Sequence, residues 1–403
     1  FANMSNARKL ISLKFPIGVA TTYNALFSSI ILTMHRFFIT TLTLIFALYG
    51  SPLAMATQPQ PDNAAESTLV PHIALLLPLE SPSFREAANV VREGFETAAM
   101  REQALPLTIR LYSTTDDPLD ILVTYHQALT AGAVFVVGPL TRDGVSAIAS
   151  SDHLEVPTLA LNTVDNNTDL PSKLYLFGLQ METEASHIAK WALPGGKNHA
   201  IIISDDSSLS RRLQNAFIER WQSEHGKTAE SFRYTEDPAK LQQFRSLTAG
   251  SNHLVFLALD AAKSRVLRTY LDPDVPVYAT SQIFTGTDNY LLNHDLNGIQ
   301  FMDMPWLLQP DHPAVMAYRH TGKARNTDME RLYALGIDAF RLMTYLLQPQ
   351  SQSVNEISFD GVTGSIRFLP PNQFVREPVA AQFDYGKVQL LDLQKDLIEH
   401  EGQ

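Results

Sequence analysis

The chain has 403 residues, 45% of them hydrophobic and 18% charged, with a formal net charge of −11 and no cysteine. This composition excludes a wholly disordered chain and supplies apolar surface for one large or two medium domains. The acidic balance works against nucleic acid and anionic lipid as partners, and the lack of cysteine excludes disulfides and thiolate metal sites.

Residues 1–56 carry four basic side chains (Arg8, Lys9, Lys14 and Arg36) and no acidic one. Within them, 34–56 has a basic start at His35 and Arg36, an apolar centre from Phe37 to Leu48, and Ala54-Met55-Ala56 at its end. Those are the three parts of a secretory signal, with cleavage expected after Ala56. A spanning helix needs about 20 apolar residues, whereas this centre is shorter and runs into Gly50, Ser51 and Pro52. Residues 1–33 read as an upstream or non-native leader. Cleavage moves the net charge to about −15. With no lipid-bearing cysteine, the expected product is a periplasmic protein that is not a lipoprotein and has no stable membrane anchor.

Residues 57–70, TQPQPDNAAESTLV, read as a flexible linker. From Pro71, short apolar runs alternate with helical patterns. Strands are expected at 72–79, 107–114, 133–140, 157–163 and 174–179. Runs apolar on both faces suit parallel strands covered by helices on each side. Ser83 with Glu86 forms a capping box for the first helix, and Asp117 before Pro118 starts the next. The alternation restarts with a helix at 182–193, strands at 199–206, 253–260 and 275–282, and helices at 209–225, 239–247 and 261–271. The stretch DLNGIQFMDMPWLL, 295–308, supplies the last strand of this set, with Gly298 permitting a tight entry and Pro305 ending the pairing. A lone helix capped by Thr327 and Glu330 follows, then short strands at 359–368 and 378–391.

The fold class expected is α/β: two Rossmann-like lobes with parallel sheets and several interlobe crossings, the architecture of periplasmic binding proteins of the first type. The first lobe is placed at 71–180 plus 308–350, and the second at 181–307 plus 351–395.

Nothing in the chain argues for an enzyme. The 12 histidines never fall three or four apart, no G-x-S-x-G elbow occurs, and the Gly195-Gly196 turn lacks the spacing of a phosphate loop. No cofactor or metal is expected. Open α/β sheets hold ligands beyond the carboxyl ends of their strands. That rule picks out Glu80, Ser81, Gly138, Thr141, Asn162 and Thr163 on the first lobe, and Asp205, Ser207, Asp260, Ser281 and Gln282 on the second. Capping a helix is the plainer role for Thr141, and turns or caps for the paired acids at 116–117 and 205–206. Trp306, just past the last strand at the lobe junction, packs in the hinge or lines the cleft.

The order of these pieces, with HIALLLPL, VREGFETAA, VFVVGPL, VPTLALN, LYLFGLQMETEASHIAKWA, VYATSQIFTG and DLNGIQFMDMPWLL, resembles the C-terminal, binding-protein-like domain of the penicillin-binding protein activator family. The match runs from about Pro71 to the β tail. It implies a noncatalytic periplasmic regulator of peptidoglycan synthesis whose partner is a penicillin-binding protein. Two features of the family, a lipid-bearing cysteine and a preceding helical-repeat domain, are not found in this sequence. The other expectation is a periplasmic receptor that closes on a small ligand such as an amino acid and feeds a transporter.

Overall fold

A computed structural model describes residues 70–102, 106–152, 154–164, 170–224, 228–286, 290–318, 325–348 and 353–392. The secretory signal, the leader and nearly all of the linker expected from the sequence lie outside the described residues. Residues 69–403 belong to one unit.

Its first layer is an eight-stranded sheet. In chain order the strands are β1 (His72–Leu77), β2 (Thr108–Ser113), β3 (Ala133–Val137), β4 (Thr158–Ala160) and β5 (Leu174–Leu176). All six residues of β1 are buried, because it lies inside the sheet between β2 and β3 and is covered on both faces. The second sheet begins with β6 (His199–Ser204), β7 (Thr228–Arg233), β8 (His253–Ala258), β9 (Val277–Ala279) and β10 (Ile299–Asp303). The tail supplies β11 (Ser358–Asp360), β12 (Ser365–Leu369), β13 (Gln373–Glu377), β14 (Val379–Asp384) and β15 (Lys387–Leu390). The spatial orders are β11-β12-β13-β5-β4-β3-β1-β2 and β15-β14-β10-β9-β8-β6-β7.

Seven helices of eight or more residues occur among the described residues: α1 (Arg85–Arg101), α2 (Pro118–Thr130), α3 (Arg142–Ala149), α4 (Met181–Ala192), α5 (Ser208–Ser223), α6 (Ala261–Arg268) and α7 (Thr327–Leu347). The long α7 packs along α1 in the first lobe's core, with Phe95 and Phe340 edge to face at 5.2 Å. The chain therefore passes between lobes after β5, after β10 and after β13.

Several expectations need correction. The sequence places residues 358–377 with the second lobe, but β11–β13 join the first sheet. There β13 runs parallel to β5, Leu176 donates to the Asn372 carbonyl, and Ile366 and Phe374 enter the first core. The alternation in this tail reveals a hairpin, but it does not reveal which sheet edge receives it. Strand β7, TAESFR, has no apolar run because it is an edge strand with most side chains in solvent.

The caps also shift. Phe84, not Ser83, is the residue before α1, and the Ser81 hydroxyl accepts from the Ser83 and Phe84 amides. Asn326, not Thr327, caps α7 by accepting from the Met329 amide. The helix expected at 239–247 is two short ones, Pro238–Leu241 and Gln243–Thr248. Asp117 does cap α2, accepting from the Leu119 and Asp120 amides ahead of Pro118 at the first turn.

Candidate functional site

The residues picked out on the first lobe lie in the loops beyond the strand ends, and apart from the exposed Glu80 side chain their polar groups bond within and between those loops. Glu80 is exposed, and its amide bonds the Thr114 carbonyl at 2.9 Å. Ser81 is buried as the cap described above. Gly138 has φ +113°, and a Cβ there would stand 2.0 Å from the Leu76 carbonyl oxygen, so only glycine fits. Thr141 caps α3 by accepting from the Gly144 amide at 3.3 Å. Asn162 ties two loops together: its amide donates to the Leu140 carbonyl at 2.9 Å and its oxygen accepts from the Thr163 amide at 3.0 Å. The Thr163 hydroxyl turns to the Val164 carbonyl at 3.4 Å.

On the second lobe, Asp205, Ser207 and Asp260 come together. Ser207 caps α5 and Asp260 caps α6. The Lys263 ammonium pairs with Asp205 and, at 3.2 Å, with Asp260. Burial alone would raise the Asp205 pKa, but hydrogen bonds from Lys263 and Ser207 outweigh it and hold it at about 2.

The sign of this shift fixes its effect on stability. A carboxylate depressed in the folded state adds stability above the unfolded value near 3.9, and that stability is lost as pH falls through about 2. Asp205→Asn should therefore cost about 1–2 kcal/mol at pH 7, a figure reduced for the solvent around Lys263. Urea midpoints taken from pH 7 to pH 2 should converge for wild type and variant below pH 4; curves that stay parallel would show that the pair is not formed.

Ser281 belongs to a different cluster, and Gln282 is half-buried in the same turn, Ser281–Ile283. At the passage from β10 to α7, Arg331 grips Asp303 through two bonds of 2.6 and 3.2 Å, and it also donates to the carbonyls of Ser281 and Phe284. At the other two passages, Arg376 of β13 holds Glu184 of α4 at 2.6 Å and donates to the Leu179 carbonyl. The Ser281 amide donates to Glu184 at 3.1 Å, which links the two pairs. All four ionised side chains are at most 5% exposed. Burial pushes the Glu184 pKa up against the pull of Arg376. For Arg331 burial acts downward, yet the Asp303 charge prevails and raises it.

A third ion pair spans the lobes nearer the surface. Glu182 at the start of α4 takes both Arg142 of the first lobe at 2.6 Å and Arg212 of α5 at 2.7 Å. Burial opposes ionisation of Glu182, but the Arg212 hydrogen bond and the Arg142 charge lower its pKa overall.

Trp306 lies in the helical turn Pro305–Leu308. Its amide donates to the Val362 carbonyl, its indole N–H donates to Glu330 at 2.7 Å, and its ring lies 5.5 Å from that of Tyr333. It packs against the first lobe's core, next to the crossing.

The residues that join the lobes, Glu184, Asp303, Arg331 and Arg376, were not singled out in the sequence. A signal existed for Asp303, a lone charge inside the apolar run IQFMDMPW, and for Arg331, a cation beside the buried stripe of α7. Among the described residues, no three histidine, aspartate or glutamate side chains could hold a metal ion.

The family model described as LppC putative lipoprotein matches residues 63–249 and 248–386. A penicillin-binding protein activator LpoA from Photobacterium profundum is 24% identical over 353 residues, covering 77% of this chain and 56% of the relative. This chain spans between about half and three fifths of the length of the curated relatives it matches. Among solved structures, a putative branched-chain amino acid ABC transporter from Chromobacterium violaceum is 37% identical with a TM-score of 0.65, covering 78% of this chain and 99% of that one. The C-domain of LpoA from Haemophilus influenzae, described as a regulator of PBP1A, is 24% identical with a TM-score of 0.66, covering 80% of this chain and all of that one.

Proposed function

This chain belongs to the LppC putative lipoprotein family, and from that membership we propose that it is a noncatalytic protein of the cell envelope that regulates peptidoglycan synthesis by binding a penicillin-binding protein. The observation that carries this reading beyond family likeness is the buried ion lattice across the lobe crossings. A receptor that closes on a solute needs lobes that swing and rim groups free to meet a ligand. Here two buried ion pairs tie the lobes together, and the polar side chains at the rim serve mainly as caps and loop ties.

The second reading, a receptor for an amino acid or similar solute, draws on the name of the Chromobacterium violaceum relative. It predicts saturable binding of a free amino acid with lobe closure, which small-angle scattering would register. The family's description as lipoproteins runs against an unlipidated product, and the residues that bear on this, 1–56, lie outside the described ones. An envelope location is common to both. No helix among the described residues is long and apolar enough to cross a membrane.

A protein-binding role requires an exposed surface. At the outer end of the second lobe, Tyr290, Leu291, Leu292 and Tyr385 are 48, 81, 45 and 66% exposed. A Cβ at Gly386 would touch the Tyr290 ring at 3.0 Å, so the turn and the helix Tyr290–His294 form one patch. Tyr385 and Gly386 make the two-residue turn of the β14–β15 hairpin, with φ of 45° and 83°. Asn-Gly is the preferred pair in such a turn, so a tyrosine there carries strain while holding a large ring in water. Exposed aromatics of this kind are the usual anchors of protein interfaces.

Leu291→Asp should therefore weaken association with a purified bifunctional penicillin-binding protein by more than about ten-fold at unchanged stability. Tyr385→Asn should weaken it too while raising stability by about 1 kcal/mol. Titration calorimetry with urea melts checks both; full affinity in both variants would remove the patch from the interface.

A further inference from the structure

A groove of about 1050 Å³ opens between α4, the end of α5 and the second sheet's face at β9 and β10, with Arg367 of β12 and the β13–β14 link at the crossing as its end wall. None of the twelve residues picked out from the sequence lines it. Its volume is at the upper end of small-ligand sites, about 300–1,000 Å³.

The floor is aromatic and apolar: half-buried Trp191, Tyr278 set edge-on to it at 5.4 Å, and Met302. The floor also carries unspent polarity. Among the described residues, no hydrogen bond within the protein engages the Tyr278 hydroxyl, the Gln300 amide or the His187 imidazole. Burial moves the His187 pKa below its ordinary value, so at neutral pH the ring is uncharged, with one nitrogen to donate and one to accept.

The charges lining the groove nearly balance, three basic side chains against four acidic ones. Arg220 pairs with Glu224 at 2.6 Å, Arg367 pairs with Glu377 at 3.0 Å, and Glu182 is taken by Arg142 and Arg212. Lys190 and Glu219 remain, one of each sign. Such a rim, with most of its charges paired, gives little net attraction to an anion or a cation, and its ionised groups suit a purely aliphatic ligand poorly. What matches is a ligand with flat apolar faces and many hydroxyl and amide groups at its edges but no charge.

We propose that this groove binds an uncharged oligosaccharide, one sugar face resting on half-buried Trp191 beside the edge of Tyr278 while its hydroxyls bond Gln300, His187 and the paired Arg and Glu side chains of the rim. This deepens the reading above by adding a glycan ligand for a regulator of glycan synthesis. The groove and the patch at Leu291 are separate surfaces, so the two readings fail separately.

The test is titration of the full chain with the β-1,4-linked tetramer of N-acetylglucosamine, followed by calorimetry and tryptophan fluorescence. Saturable binding is expected, weakened about ten-fold in Trp191→Ala, as for loss of an aromatic anchor. Gln300→Leu, which removes only a polar tip from a sheet face, should weaken it several-fold while circular dichroism stays unchanged. Leu291→Asp should bind the tetramer as wild type does. Absence of saturable binding to this probe and to the glucose tetramer overturns the proposal. So does binding that both groove variants leave intact, or protection of the groove from hydrogen exchange by the penicillin-binding protein instead of the sugar. None of these results alters the expected effect of Leu291→Asp on that protein.

Discussion

Arg331→Met is expected to destabilise the protein by about 3–5 kcal/mol, because it removes one member of a buried pair and leaves the other charged. Asp303 has no exposure to water, and its remaining bond, from the Met304 amide at 2.8 Å, cannot replace a guanidinium held by two contacts. The carbonyls of Ser281 and Phe284 lose a donor in the same change. Adding Asp303→Asn to Arg331→Met should restore more than about 1 kcal/mol, since asparagine keeps the acceptor for Met304 without the stranded charge. Urea denaturation of the two single variants and the double gives the coupling directly. A loss under about 1 kcal/mol for Arg331→Met would mean that the lattice does not hold the lobes, and the case against a swinging receptor would fall with it.

Gly336→Ala is the second large effect, and its sign runs against local preference. Alanine in a helix interior is ordinarily favoured over glycine by about 1 kcal/mol. At this position, in the middle of α7, a Cβ would stand 2.1 Å from the Val91 carbonyl oxygen and 2.9 Å from the Phe95 amide nitrogen. Gly94 on α1 faces the reciprocal problem, 2.0 Å from the Tyr333 carbonyl oxygen. The neighbours are backbone atoms that no rotamer change can clear, so the helices must separate and the packing of Phe95 on Phe340 loosens. A loss of about 2–4 kcal/mol is expected for either alanine, at or beyond the usual cost of an overpacked core. The double variant should lose less than the sum, since one separation relieves both clashes. Thermal melts of the three proteins decide it, and a rise in melting temperature for either single variant would show that the helices are not so close.

The pairing of α1 with α7 illustrates what periodicity conveys and what it omits. VREGFETAA and RLYALGIDAF each show an apolar stripe, so both helices and their buried faces were legible. That the two stripes meet at a pair of glycines depends on residues more than 240 positions apart. The strands of both lobes were legible for the same reason: runs such as HIALLL and HLVFLA are buried on both faces and leave no polar side to misread. The sequence ranges extended a few residues past the observed strands, into loops that share their apolar character. Edge strand β7 and the sheet assignment of β11–β13 were not legible. An edge strand has no obligatory apolar face, and a hairpin's alternation is identical whichever edge accepts it.

The functional surfaces divide in the same way. The sequence alone determined the α/β class, the two rounds of strand and helix, the capping roles of Asp117 and Thr141, and the family likeness carried by VYATSQIFTG and DLNGIQFMDMPWLL. Each of these is set by local backbone preference or by a short repeating pattern. Only the tertiary structure decided that Asp205 and Asp260 share Lys263, that Asp303 meets Arg331 and Glu184 meets Arg376 across the crossings, and that Trp191, Tyr278 and Met302 form one floor. A charge pair or a groove is a coincidence in space of residues from separate elements. Its energy depends on burial and distance, and neither is fixed until the sheets and helices have packed.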